Sequence, residues 1–317
     1  TATMGVALYP QSGLDADTLL RNADIALYRA KEQGRNTYQF YMEGMQDREV
    51  MRLELDKDLS QALANDEFVL YYQPQLDLDT NEVTSVEALI RWQHPRRGLL
   101  APCEFIPLAE ESGRITEIGR WVVLAACRQL ARWKGTPCEN LRIAVNLSGR
   151  ELDDESLVAH IRDTLLAEQV NPAMLEVELT EEIFIQNIEH NLNQLRQLHQ
   201  LGVHLAIDDF GVGYSSLGYL RDFPVDMLKI DRSFITEVTS RHDDAVITRA
   251  VINLAHNLGI RVVAEGVETR DQLNFLRRHH CNLAQGFLIN HPVPPEELES
   301  SIMVEAPFAR EPAISRL

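Results

Sequence analysis

The sequence predicts an α/β fold: a modified (β/α)8 barrel whose first strand runs antiparallel, preceded by a small strand–helix–strand remnant. Three observations carry this reading. Short apolar runs (VTSVEAL, LRIAVNLS, MLEVELTEE, VHLAIDDFG, VDMLKID, RVVAEGVE and NLAQGF) each end on acidic, amide or lysine residues. Strand-like and helix-like stretches alternate in steps of 32 residues from Asn146 to Glu178 and 30 from Glu178 to Asp208, the length of one strand plus one return helix. At the front, FVLYYQPQLDL and VTSVEALIRW flank the turn-like DLDTNE, which implies an antiparallel hairpin. An open doubly wound sheet also alternates, but it gathers ligands at one or two switch points rather than around a rim. The barrel is therefore favoured.

The elements follow in order. MGVALYP reads as a strand ended by proline, and Asp15 opens a helical pattern with apolar residues at 19, 20, 26, 27 and 30, stopped by Gly34. NTYQFY is a second strand. Residues 1–41 thus form a unit too small to bury both faces alone, like the end of a domain whose front is missing. Residues 42–60 form a connecting helix with Leu53, Leu55 and Leu59, and Leu63 just beyond, on or near one face. The barrel spans 61–303. After the hairpin come the helices CEFIPLAEES and TEIGRWVVLAACRQLARWKG, the latter stopped by Gly135. Strands are expected at 141–147, 175–180, 203–208, 260–264 and 283–288, and helices at 153–169, 187–201, 243–258 (stopped by Gly259) and 269–279. Residues 304–317 lack periodicity and read as a tail.

Composition narrows the function. A chain of 317 residues, 45% hydrophobic, can bury one large core. Thirty basic against forty-eight acidic residues give a formal net charge of −18, which repels long nucleic acid. A small phosphate ester is still compatible, because bound cations invert the local sign at a carboxylate cluster. Cys103, Cys127, Cys138 and Cys281 show no CxxC spacing and read as reduced thiols in a cytoplasmic setting. No apolar run reaches a membrane span and no signal-peptide pattern opens the sequence. Starting at Thr1, the chain reads as a piece of a longer protein whose missing part could carry a sensor, or an anchor to the cytoplasmic face of the inner membrane.

The chemistry lies in the run endings. Glu87, Asn146, Glu178 and Asp208 offer hard oxygen donors from four strand ends, a set that suits Mg²⁺ or Mn²⁺ better than Zn²⁺. The pair Asp208–Asp209 repels itself unless a cation lies beside it, and can serve two ions; the alternative is that Asp-Asp-Phe-Gly caps a helix. Lys229 and Asp231 share a strand face by alternation. Lys229 there either orients a water and offsets phosphate charge, or is an ion pair bridging two strands. Glu265 directly follows an apolar run and is a metal or outer-sphere candidate. Glu268, three residues on, either braces a neighbouring loop or is a helix-start acid. Arg91 is placed to hold phosphate and Gln73 to reach the same pocket, or both serve the surface and strand pairing. His94, His160, His204 and His256 lack ligand spacing.

At these residues the chain resembles the EAL-domain family, which hydrolyses the bacterial second messenger cyclic di-GMP. The signature Glu87-Ala88-Leu89 is followed by Arg91. Around it stand YYQP at 71–74, FIPLAEESG at 105–113, NLS at 146–148 and ELTE at 178–181. DDFGVGYSSL at 208–217, KID at 229–231, AEGVE at 264–268 and QGF at 285–287 complete the match over about residues 50–303. The stretch ADIALYRAKEQGRN resembles the C-terminal end of a GGDEF cyclase domain. The catalytic front of that domain is absent, so this chain is not expected to make cyclic di-GMP.

The resemblance implies a TIM-like barrel and two Mg²⁺ or Mn²⁺ ions, about 4 Å apart as in other two-metal sites. Glu87, Asn146, Glu178 and Asp208 would coordinate metal, with a second ion near Asp208 and Asp209 and Glu265 linked directly or through water. Lys229 would hold the attacking water and Gln285 complete its shell; Glu87, Lys229 and Glu265 form the catalytic set. Gln73, Leu89, Arg91, Asp231 and Gln285 would bind substrate, and Glu268 would stabilise the loop 210–217. Val212 departs from the threonine many members carry there. The reaction would open cyclic di-GMP to linear 5′-pGpG, in a homodimer associated through the barrel, below an upstream sensor or cyclase-like domain. Rival readings are a catalytically inactive cyclic di-GMP receptor and an unrelated metal-dependent barrel acting on sugars or enolates.

Overall fold

A computed structural model describes residues 2–32, 36–42, 45–181, 187–212 and 220–303. The chain divides into two units, Thr1–Ala62 and Leu63–Leu317. The expected stop at Gly34 and the tail at 304–317 lie outside the described residues.

In the first unit, β1 (Met4–Val6) and β2 (Tyr38–Phe40) pair in parallel, as a strand–helix–strand crossover requires. The connecting helix Ala16–Glu32 starts where Asp15 predicts: its carboxylate accepts the Thr18 N–H at 2.8 Å and the Thr18 hydroxyl at 2.9 Å. Ala26 and Ala30 are buried, whereas Leu20 stays exposed. A helix at Met45–Ala62 follows. There Leu55 and Leu59, one turn apart, are buried. Leu53, expected on the same face, is 66% exposed, because two residues back along a helix is roughly the opposite side.

The second unit is a closed barrel. Its first two strands, β3 (Phe68–Asp77) and β4 (Val83–His94), form the expected hairpin. Asp77 organises the turn by accepting the N–H groups of Asp79 (3.1 Å) and Thr80 (3.0 Å). A short β5 (Gly98–Leu100), not foreseen, folds back onto β4. Six parallel strands follow: β6 (Arg142–Asn146), β7 (Leu175–Thr180), β8 (His204–Phe210), β9 (Met227–Ile230), β10 (Arg261–Ala264) and β11 (Leu283–Gln285). β11 then pairs antiparallel with β3, Gln285 opposite Gln75, and this closes eight strands into a ring. β3 runs against both of its neighbours.

Two expected boundaries shift. The helix at 153–169 is instead a turn at Gly149–Leu152 followed by Leu157–Ala167. The strand at 283–288 stops at Gln285, because the chain bends at Gly286 to let the Val267 N–H reach the Gln285 carbonyl (3.0 Å) and the Leu288 N–H reach the Val267 carbonyl (3.0 Å). A Cβ on Gly286 would collide with the Val267 backbone, so only glycine permits the approach. Helices Ile188–Leu201, His242–Asn257 and Arg270–Arg278 match the periodicity closely.

Strand register sorts the barrel interior into layers. Ala206, Met227, Val263 and Leu283 form a buried apolar plug. The next inward positions are Lys229 on β9, Glu265 just past the end of β10 and Gln285 on β11, at the C-terminal mouth. Alternation carries the same face from core to chemistry in one step of two residues.

Candidate active site

Lys229 is the pivot of that mouth. It is fully buried on β9, and its Nζ lies 2.6 Å from Glu178 Oε2, 2.8 Å from Glu265 Oε1, 3.3 Å from Asp208 Oδ2 and 3.5 Å from Glu87 Oε2. Four separate strand ends therefore meet at one ammonium. Burial alone would discharge a lysine, but the surrounding carboxylates outweigh it and hold its pKa well above the ordinary value.

The carboxylates respond unequally. Burial opposes ionisation of Glu87, yet the Lys229 charge and hydrogen bonds from Gln285 (2.6 Å) and Asn146 (2.8 Å) hold its carboxyl below the usual range. Burial pushes Glu178 well up, an effect that Lys229 offsets and that Glu87 and Asp208 reinforce. Burial likewise takes Glu265 up to about 8 despite Lys229. Asp209 is raised by burial and then by its acidic neighbours Asp208 and Asp231. Four carboxyl groups contact a single ammonium and Asp209 stands beside them, more acids than one cation can balance. Oxygens of Asp208, Asp209 and Glu265 lie within 4.8 Å of one another, a spacing that one cation can span. An all-oxygen donor set with excess charge fits Mg²⁺ or Mn²⁺.

Amides form the second side of the site. Gln285 donates through one nitrogen to Glu87 Oε2 and to Gln73 Oε1 (3.1 Å), while its oxygen accepts from Gln75 (2.9 Å), whose own oxygen accepts from Ser85 (2.6 Å). This chain fixes which face of Glu87 is free. Asn146 turns its nitrogen to Glu87, so its oxygen is the atom left for another partner.

The cleft above has a volume of about 420 Å³ and is lined by Gln73, Glu87, Leu89, Asp208, Asp209, Asp231, Glu265, Glu268 and Gln285, with Arg232, Gly266, Gly286, Phe287 and Pro292. Arg91 stands one inward position beyond Leu89 on β4, its guanidinium carbon 5.5 Å over the Tyr71 ring. Asp231 has a local duty as well, capping the helix Arg232–Thr236 by accepting from the Ser233 N–H at 3.0 Å. Glu268 lies exposed at the rim. The loop it was expected to brace falls largely in residues 213–219, outside the described residues. At the loop's described start, the Gly211 N–H is held by Glu181 Oε2 at 3.2 Å, with Glu181 buried. Val212 beside it is 63% exposed.

Sequence reasoning missed Gln75 and Ser85, and gave no role to Tyr71 and Glu181, which it quoted only within the YYQP and ELTE motifs. Gln75 and Ser85 were findable, since each lies two residues from a candidate on the same strand face. Glu181 was not, because its partner is a backbone amide 30 residues away.

Comparison with known proteins gives the family. The family model "EAL domain" matches residues 56–292. The chain belongs to the EAL family. A second model, "Diguanylate cyclase, GGDEF domain", matches residues 1–37. Among EAL relatives, "Cyclic di-GMP phosphodiesterase NbdA" of Pseudomonas aeruginosa is 45% identical over 299 residues, which is 94% of this chain and 38% of that protein. "Bifunctional diguanylate cyclase/cyclic di-GMP phosphodiesterase MucR" of the same organism is 44% identical over 302 residues, 95% of this chain and 44% of that protein. The chain thus spans less than half the length of these relatives. The solved EAL structure "PaMucR Phosphodiesterase, c-di-GMP complex" superposes with a TM-score of 0.75 at 44% identity, covering 77% of this chain and 99% of that one. Among the described residues, no helix is long and apolar enough to cross a membrane.

Proposed function

We propose that this EAL chain is a metal-dependent phosphodiesterase that hydrolyses cyclic di-GMP to linear 5′-pGpG. The observation that carries the reading is the convergence of Glu87, Glu178, Asp208 and Glu265 on Lys229, beside the Asp208–Asp209–Glu265 oxygens. Relatives at 44–45% identity bear the name of this activity, which supports the substrate. Residues 1–41 are the remnant of a cyclase-like domain and 42–60 the helix that joins it to the barrel.

Glu87, Asn146, Glu178, Asp208, Asp209 and Glu265 would hold two Mg²⁺ or Mn²⁺ ions. Such ions, when bound, lower the pKa of a water and neutralise charge on the phosphodiester. The protein's own groups do the rest. Lys229 orients the attacking water and balances the charge of the carboxylates. Gln285 and Gln73 keep Glu87 aimed at the cleft. Leu89 supplies an apolar wall, Arg91 clamps phosphate oxygens, and Asp231 accepts from donor groups of a base. Water attacks phosphorus in line, forming the new P–O bond as the P–O3′ bond breaks, and the proton the water gives up ends on the departing O3′.

The test is incubation with cyclic di-GMP and Mn²⁺, with products followed by chromatography. Linear pGpG is expected from the wild type, and Glu87→Ala should abolish it. Binding without product would establish the inactive receptor instead. The family resemblance also supports a cytoplasmic homodimer associated through the barrel; a monomer mass by analytical ultracentrifugation would overturn the dimer.

A further inference from the structure

One layer beneath the site, β7 carries a second inward acid, Glu176, with no exposed surface. Its Oε2 accepts from Arg142 Nη1 at 3.0 Å, while its Oε1 is buried with no partner among the described residues. Glu178, two residues on, repeats the pattern: Oε2 is taken by Lys229, and Oε1 is buried and unpartnered. Two orphan acceptors thus occur at successive inward positions of one strand, with Cα atoms roughly 6–7 Å apart. On one flank of each acid the registered neighbour is small, Ala144 of β6 beside Glu176 and Ala206 of β8 beside Glu178; on the other flanks stand His204 of β8 and Asn146 of β6. A buried acceptor without a donor is costly, and two at this spacing call for one shared donor. A water molecule supplies two O–H groups, one for each.

We propose that a single buried water bridges Glu176 Oε1 and Glu178 Oε1, making Glu176 a positioning residue that fixes the rotation of the Glu178 carboxylate, whose Oε2 meets Lys229. Arg142 anchors the far end of this chain from β6. The consequence rests on the reading of Glu178 as a metal ligand. Outer partners of ligating carboxylates commonly govern metal affinity by about 10–100-fold. Glu176→Leu, which removes the bridge while keeping bulk, should weaken Mn²⁺ binding by about that factor. Glu176→Gln keeps a polar group facing the water and should stay within about threefold of wild type.

Two measurements decide. A high-resolution crystal structure of the wild-type chain should show one ordered water within hydrogen-bond distance of both oxygens; no density there overturns the proposal. Free-Mn²⁺ titration followed by electron paramagnetic resonance should separate the Leu and Gln variants. A purely structural Glu176 would lower the melting temperature and leave Mn²⁺ affinity unmoved, which also overturns it. If Glu176→Leu does not fold, the density remains decisive. Failure of the wild type to bind Mn²⁺ at all would instead sink the metal reading of the site, while the density would still test the bridge.

Discussion

Replacing Glu151 by glutamine tests whether a buried carboxyl away from the cleft taxes stability at neutral pH. Glu151 is 3% exposed and sits against Gly119, where a Cβ would collide with its carboxylate. Ser148 hydrogen-bonds its Oε2 through N–H (2.9 Å) and hydroxyl (2.6 Å). Burial nevertheless outweighs these bonds and pushes its pKa from 4.5 up to about 7. Because the folded pKa is raised, the native state binds more protons than the unfolded chain between these values, so stability falls as pH rises from 4.5 through about 7. At 1.36 kcal/mol per pH unit the loss comes to about 3 kcal/mol, complete above neutrality. Glutamine cannot ionise and keeps an acceptor for Ser148. Urea melts from about pH 5 to about pH 8 should therefore show Glu151→Gln gaining roughly 2–3 kcal/mol on the wild type as pH rises. Parallel curves for the two proteins would refute the reasoning.

Further outcomes follow from other contacts. Lys229→Met strips the cation from four carboxylates at 2.6–3.5 Å and should cost about 3–5 kcal/mol in EDTA and at least about 10²-fold in kcat; wild-type turnover in this variant would show that its catalytic role is misassigned. Gly286→Ala should destabilise by at least about 3 kcal/mol, because the new methyl meets the Val267 backbone; an unchanged urea midpoint would mean that the turn relaxes freely. Tyr71→Leu removes the ring behind Arg91 and should raise KM for cyclic di-GMP about 3–10-fold with little change in kcat; an effect confined to kcat would argue against Arg91 as a ground-state clamp.

Much of the architecture was legible because period and spacing are local properties. The turn-like DLDTNE between FVLYYQPQLDL and VTSVEALIRW announced the hairpin, and the steps of 32 and 30 residues announced parallel βα units. Strand ends were visible because an acid closing an apolar run is informative without any partner. Boundaries failed where a distant backbone intervened. Gly286 ends β11 early only because Val267 arrives beside it, and Leu53 leaves its expected face through helical phase alone.

The sequence by itself singled out the strand-end side chains, since an acid or amide closing an apolar run is visible without knowledge of its partners. Only the tertiary structure decided what those side chains do to one another. Ring closure and stagger bring Lys229 of β9 within 3.5 Å of acids on β4, β7 and β8 and of Glu265 just past β10. They also seat Gln285 of β11 against Glu87 of β4, and leave two acid oxygens stacked on β7 without partners. Such pairings join residues up to 198 positions apart, and the burial that sets their charge depends on all eight strands at once.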